Sequence, residues 1–291
     1  MAITSFIPEI WNAALLQSFR EQAVAANLVN RQYEGNAASG NVVHINFAGN
    51  IPVNNYKTGA TINGTQTPRT TVPGAVSTTK VDLLIDQEKA FDFLVDDIDR
   101  VQAAGSLDVF ASNAAAGLAE DADKFILATA AGASGISNLS PSTHVDLTAT
   151  GAADEVFNVI RDLRKSLNKN HVPMGSRVLI INAEFEAALL AADAKLTDAS
   201  VAGDAQGLRN ATLGNLLGFR VVTTENLPET DEAMALAFYQ PAVAYVSQIE
   251  KTEAMRDVNS FSDRLRGLHV YGGLVVRPEA VALWKNPPAA G

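Results

Sequence analysis

Residues 54–79 read NNYKTGATINGTQTPRTTVPGAVSTT. The stretch holds no acidic residue and few large apolar ones, inside a chain of 291 residues with a formal net charge of -10. Both flanks have the period-2 alternation of strands. Upstream lies VVHINF (Val42 to Phe47); downstream Val81, Leu83 and Ile85 alternate, and then Phe91, Phe93 and Val95. Hairpin loops ordinarily have about 2–5 residues, and structureless loops beyond roughly 12–15 are uncommon in compact domains. The Thr-rich composition favours extended backbone. Pro52, Pro68 and Pro73 limit regular sheet pairing. Two readings stay open: a long mobile hairpin loop, or a two-stranded arm that gains stability from another surface. Lys57 and Arg69 are the only charges in the stretch. They give it a positive surface against an acidic body, so Tyr56, Lys57 and Arg69 are candidate contacts with another copy.

Working outward, residues 8–30 carry an amphipathic helix pattern, with Ile10, Ala14, Leu15, Phe19 and Ala23 at helical spacing. Trp11 sits beside that stripe and is a further candidate contact. The segment SLDVFASNAAAGLAEDADKFILATA, Ser106 to Ala130, predicts the longest helix, with Leu107, Phe110, Ala114, Leu118, Ala122 and Phe125 on one face. At 1.5 Å per residue it spans roughly 38 Å, a structural spine. Ser106 is placed to cap it and Asp108 lies in its positive first turn. Gly117 costs roughly 1 kcal/mol against Ala at mid-helix and is a candidate hinge.

A turn-rich boundary follows over residues 132–150. The pattern then alternates helix and strand. A helix over 154–169 presents Val156, Phe157, Ile160, Leu163 and Leu167 on one face, RVLII (Arg177 to Ile181) is a buried strand, and Ala183 to Ala192 is a short helix. Phe219 to Thr224 is a strand, and further strand text is interrupted at Pro241. This half reads as a compact α/β domain. Gly272 and Gly273 signal a hairpin between two terminal strands. Arg264 and Arg266 share one face of a strand and are candidates to grip carboxylates.

Hydrophobic residues make up 47% of the chain, enough for one large core or two smaller ones. There is no cysteine, which removes disulfide and thiolate chemistry. The first residues lack the basic, then apolar, plan of a signal peptide. No apolar run approaches the roughly 20 residues of a membrane-spanning helix, so no membrane partner is expected. The acidic balance argues against general nucleic-acid binding, which rests on Lys and Arg neutralising phosphates.

Catalytic signals are missing. His44, His144, His171 and His269 stand apart in sequence, with no zinc-ligand spacing. No nucleophile elbow, Walker A loop or dinucleotide fingerprint is present. Asp96, Asp97 and Asp99 cluster, but without the glycine and distal glutamate of a calcium loop; they read as a solvated turn. The expectation is a protein with no catalytic residue, metal or cofactor.

Four stretches together resemble the major capsid protein of tailed bacteriophages, the Hong Kong 97-type fold. They are FIPEIWNAALLQSFREQAVAANLVNRQYEG; DFLVDDIDRVQAA with the Ala-rich helix after it; LRNATLGNLLGFRVVTTENLP; and FSDRLRGLHVYGGLVVRPEAV. Each encodes packing rather than chemistry; their order and spacing make the match specific. The resemblance implies an α+β fold with an N-terminal arm (1–43), an extended β-hairpin loop (44–86), a peripheral domain with the spine helix (87–137 and 257–291) and an α/β apical domain (138–256). It implies copies of one chain joined as pentamers and hexamers into an icosahedral shell around DNA bound without sequence specificity. It also implies a virion location, assembly in the host cytoplasm, a portal, a scaffold protein and, in some members, a cement protein. The arm pattern starts close to Met1, which points to a separate scaffold. Some members crosslink through a loop lysine; Lys57 is the lysine available here, and no partner residue is evident. Two other readings are carried forward: an encapsulin-like nanocompartment shell, and a soluble α/β enzyme with an unrecognised site.

Overall fold

The computed structural model describes residues 23–34, 40–48, 78–97, 107–147, 152–190, 214–228, 231–258 and 260–289, with 51, 53, 61–62, 65–66 and 75 between the second and third of these. Its elements run β1 (Val42–Ala48), β2 (Thr61–Ile62), β3 (Thr65–Gln66), β4 (Thr78–Leu84), β5 (Gln87–Asp96), α1 (Leu107–Gly132), β6 (Ser137–Asn138) and α2 (Ala152–Lys169). They continue with β7 (Arg177–Ile181), α3 (Ala183–Leu189), β8 (Asn215–Leu216), β9 (Phe219–Thr223), β10 (Met234–Tyr239), β11 (Val243–Arg256), β12 (Ser262–Val275) and β13 (Val281–Lys285).

The larger sheet has six strands in the order β6-β13-β10-β7-β9-β8. It is mixed: β7 runs parallel to β9 and β13 to β6, while the other neighbours are antiparallel. Its central strands are apolar on both faces, as a sheet covered on both sides requires: every residue of β7 is buried. Helix α2 lays its expected stripe on this core, with Val156, Ile160, Leu163 and Leu167 fully buried. Asp154 and Glu155 in its first turn and Lys169 in its last complement the helix dipole. Asn182 caps α3 by accepting from the Phe185 amide at 3.2 Å, and its side chain donates to the Glu232 carbonyl at 2.7 Å. One buried amide thus ties a helix start to the approach of β10.

A second sheet, β11-β12-β5, is fully antiparallel, and β11 and β12 form one long hairpin. That hairpin crosses the domain boundary expected at 256/257, and β13 lies in the six-stranded sheet, on the other side of the same boundary from its partners β10 and β6. Strand β5 keeps its alternation, with Phe91, Phe93 and Val95 half-buried on one face and Asp92 and Leu94 exposed on the other.

The expected hairpin at Gly272–Gly273 is corrected: both glycines lie inside the continuous strand β12. Their function is close packing. A Cβ on Gly272 would stand 2.1 Å from the Leu84 carbonyl oxygen, and one on Gly273 would stand 3.2 Å from the Phe125 ring. Strand β12 is therefore squeezed between the end of β4 on one face and α1 on the other, and missing side chains permit the approach.

The helix expected over residues 8–30 is also corrected at its end. Within 23–34 the chain makes only a short 3-10 turn at Ala25–Asn27. Asn30 then donates its amide to the Val243 carbonyl (2.9 Å) and accepts from the Tyr245 amide (3.0 Å). Pairing with β11, together with burial of Leu28 and Val29, replaces the helical bonds that local periodicity favours. Residues 8–22 lie outside the described residues.

Candidate assembly surfaces

Strands β1 and β4 form a two-stranded ribbon of their own, from Val42↔Leu84 to Ala48↔Thr78. Alternation gives the ribbon two unlike faces. Val43, Ile45, Leu83 and Ile85 point inward and join Ala244, Val246, Val270 and Val276 in a second hydrophobic cluster, distinct from the main core. Phe47 packs on the same cluster, with the Arg277 guanidinium 5.7 Å from its ring centre. The outward face carries His44, Asn46, Lys80 and Asp82, with Leu84 exposed at its end. His44 and Asp82 are cross-strand partners 2.7 Å apart, and Lys80 reaches Asp82 at 3.2 Å. The His44 hydrogen bond, then Lys80, holds the Asp82 carboxyl below its usual value.

Beyond this root the chain makes one further described pair, β2 with β3, in which Ile62 faces Thr65. The two residues between them in sequence are Asn63 and Gly64, the pair favoured by two-residue hairpins. That dipeptide is the local sequence signal for a two-residue hairpin at this point. Tyr56, Lys57, Arg69 and Trp11 lie outside the described residues. Gly117 does not interrupt α1, whose helix runs unbroken through it.

Arg264 and Arg266 do share a face of β12, and each meets a carboxylate of the same chain. Arg264 Nε donates to Asp92 at 2.8 Å, and its terminal nitrogen closes a second contact with the same carboxylate. Arg266 forks onto Glu253 Oε2 at 3.0 and 2.6 Å. Lys251 joins Glu253 from the other side. These cations push the Glu253 carboxyl down to about 2, Lys251 first and Arg266 second. Asp92 is lowered chiefly by its Arg264 hydrogen bond. The opposite face carries Arg256, bonded to Asp97 at 2.8 Å and to Asp263 at 3.1 Å. Asp97 is thus a clamp for Arg256; the solvated-turn reading is replaced by an ion pair between residues far apart in sequence. Among these ion pairs stand exposed apolar side chains: Leu94, Met255 and Leu268 on the sheet, and Val258 and Phe261 at the hairpin tip, the last two 94% and 82% exposed.

The histidines do not converge. His144 faces the Pro287 carbonyl at 2.8 Å, and His269 lies 3.1 Å from Ser247 Oγ and 3.4 Å from Tyr245 OH. His171 ends α2 at φ 58. Among the described residues no three His, Asp or Glu side chains are grouped to hold a metal ion, and no helix is long and apolar enough to cross a membrane.

Two sheets, a long helix, a two-stranded ribbon rooted on one sheet and an outward face laced with ion pairs are the parts of a structural protein. The phage capsid protein family matches residues 79–285. A solved structure from Mycobacterium phage Che8 is 48% identical with a TM-score of 0.84, covering 97% of this chain and 98% of that one. The capsid of cyanophage P-SCSP1u is 15% identical with a TM-score of 0.76, covering 100% of this chain and 95% of that one. A virus-like particle from Pyrococcus furiosus is 14% identical, with a TM-score of 0.54 over 84% of this chain and 86% of that one. No curated protein matches. The chain belongs to the phage capsid protein family and has the Hong Kong 97-type fold. It is a major capsid protein, which self-assembles into the multimeric shell of the virion.

Proposed function

We propose that this chain forms both pentamers and hexamers of an icosahedral shell, and that the shell encloses phage DNA without reading its sequence. The observation that carries this reading is the ribbon. Strands β1 and β4 pair only with each other among the described strands, and are rooted on the second sheet by one apolar face. A two-stranded ribbon is marginal alone. Lying across a neighbouring copy would supply the missing surface for residues 54–79, with Tyr56, Lys57 and Arg69 as contacts. Many modest contacts repeated over a closed shell add by multivalency.

In this reading residues 1–43 are the arm, with Trp11 as a contact to another copy, and residues 44–86 are the extended loop. The peripheral unit is α1 with β5, β11 and β12. The apical unit is the six-stranded sheet with α2 and α3, a division that the pairing of β11 with β12 and of β13 with β10 supports. Gly117 serves as the bend between non-equivalent positions. Arg264 and Arg266 present half-satisfied guanidinium edges to neighbouring copies. Assembly takes place in the host cytoplasm on a separate scaffold protein, with a portal at one vertex and room for a cement protein outside. The chain does no catalysis and takes no cofactor.

Light scattering and negative-stain microscopy of the purified protein, with and without its scaffold, test the assembly. Closed particles tens of nanometres across are expected; a stable monomer or dimer in both samples would refute the reading. Deleting Tyr56–Ser77 is expected to leave a folded protein that forms no closed shell. Normal shells from that deletion would remove the loop assignment.

A further inference from the structure

Among the described side chains of the spine helix one acid is buried. Asp123 lies in the apolar stripe of α1 between Ala122 and Ile126, and is 1% exposed. Its Oδ1 accepts the Ala25 amide at 2.5 Å, and its Oδ2 accepts the Asn226 side-chain amide at 3.0 Å. The Val24 and Ala26 amides also favour the carboxylate. Three segments remote in sequence therefore meet on one carboxyl group: residues 24–26, the helix, and the turn at Asn226–Leu227. Ala25 is fully buried, Val24 and Ala26 are half-buried, and Asn226 is 2% exposed. Asn226 Oδ1 has no partner among the described residues, so the cluster is not fully satisfied. Burial pushes the Asp123 carboxyl up, against the hydrogen bonds that pull it down. What the geometry shows is one buried carboxyl group bonded by two segments remote from its helix.

We propose that Asp123 is a latch that fixes where the N-terminal segment leaves the body, and that opening it frees residues 24–30 while both sheets stay folded. The segment it holds is docked by few other polar bonds: Asn30 to Val243 and Tyr245 at one end and the Asp123 contacts at the other, with Leu28 and Val29 buried between them. Removing the Asp123 acceptor leaves the Ala25 N–H buried and unpaired, a change worth roughly a 10- to 100-fold shift in a local equilibrium. Strands β7 and β10 take their hydrogen bonds from each other and from β13 and β9, none from this carboxylate, so they do not open with it. The consequence for shells rests on the arm assignment above; the latch itself does not.

The test is hydrogen exchange, with limited proteolysis, on the unassembled full-length protein. For Asp123→Ala, amides of residues 25–30 are expected to exchange roughly 10- to 100-fold faster, with new cleavage there. Exchange in β7 and β10 stays unchanged. Asp123→Asn keeps an acceptor oxygen for the Ala25 amide and removes the charge; it is expected to hold residues 25–30 within a few-fold of the parent. Unchanged protection of 25–30 in the alanine variant overturns the latch. So does equal acceleration in β7 and β10, which would make Asp123 an ordinary core position. Release by the asparagine variant as complete as by the alanine variant also overturns it, because the retained acceptor would then hold nothing. Should the alanine variant not accumulate as folded protein, the asparagine variant alone decides. A failure of shells with the latch shown intact by exchange would instead count against the arm assignment.

Discussion

Replacing Gly272 by alanine tests whether the ribbon root is held by the backbone approach described above. The new Cβ would stand 2.1 Å from the Leu84 carbonyl oxygen, 2.9 Å from the Ile85 Cα and 3.0 Å from the Leu84 carbonyl carbon. All three are backbone, so no side-chain rotation relieves the clash. The molecule has two responses. It can distort locally, at the roughly 1–3 kcal/mol typical of an overpacked core. It can instead lift the ribbon off the sheet, which exposes Val43, Ile45, Leu83 and Ile85 at about 1.5–3 kcal/mol each. Four such side chains cost far more than the distortion, so distortion wins and the ribbon stays attached but displaced. At about 2–4 °C per kcal/mol for a protein of this size, calorimetry of the unassembled subunit should show Tm falling by roughly 2–12 °C. Gly273→Ala is the control. Its Cβ meets the Phe125 ring edge at 3.2 Å, a side-chain contact that yields by a few tenths of an ångström, and its Tm should change by less than about 3 °C. Gly267→Ala gives an intermediate case, because its 2.3 Å clash is with the half-buried Phe91 ring, which can turn. The order of damage is therefore backbone clash, ring clash, ring edge. If Gly272→Ala and Gly273→Ala melt alike, the reasoning is refuted.

Two further predictions concern the charged face of the second sheet. Arg264→Ala and Arg266→Ala each remove an exposed pair that solvent screens, so Tm of the isolated subunit should shift by no more than about 4 °C. A larger loss in assembled shells than in subunits would show these side chains meeting a second copy, and equal losses in both would deny it. The pH dependence has a definite sign. The folded Glu253 carboxyl sits at about 2 against 4.5 when unperturbed, so its pairing with Lys251 and Arg266 stabilises the fold above about 4.5 and is lost as pH falls toward 2. Asp92 and Asp82 act in the same direction. Tm measured between pH 6 and 2.5, in about five steps, should fall less steeply in Glu253→Gln than in the parent; superimposable curves would show that the pair contributes nothing.

Sequence periodicity determined the elements whose partners lie within a few turns. The stripe of Val156, Ile160, Leu163 and Leu167 made α2 readable, because helical side-chain contacts repeat every three or four residues. The alternation in β1 and β5 showed strands on both sides of residues 54–79, and unusual composition set those residues apart from the packed body. Four soft stretches in a fixed order were enough for the family, since order and spacing survive where single residues drift. The surfaces were less legible. Arg264 and Arg266 were visible as a same-face pair, but their partners Asp92 and Glu253 come from two other strands. Gly272–Gly273 looked like a turn, because the reason for missing side chains is a strand nearly two hundred residues earlier. Residues 24–30 looked helical, because their competing partners belong to β11. Asp123 looked like one polar residue in an amphipathic helix, because the donors that meet it lie 98 residues before it and 103 residues after it. Local structure follows from contacts between near neighbours, which a sequence displays. Close backbone approach, buried charge and strand order depend on which distant segments meet, and only the tertiary structure decides that.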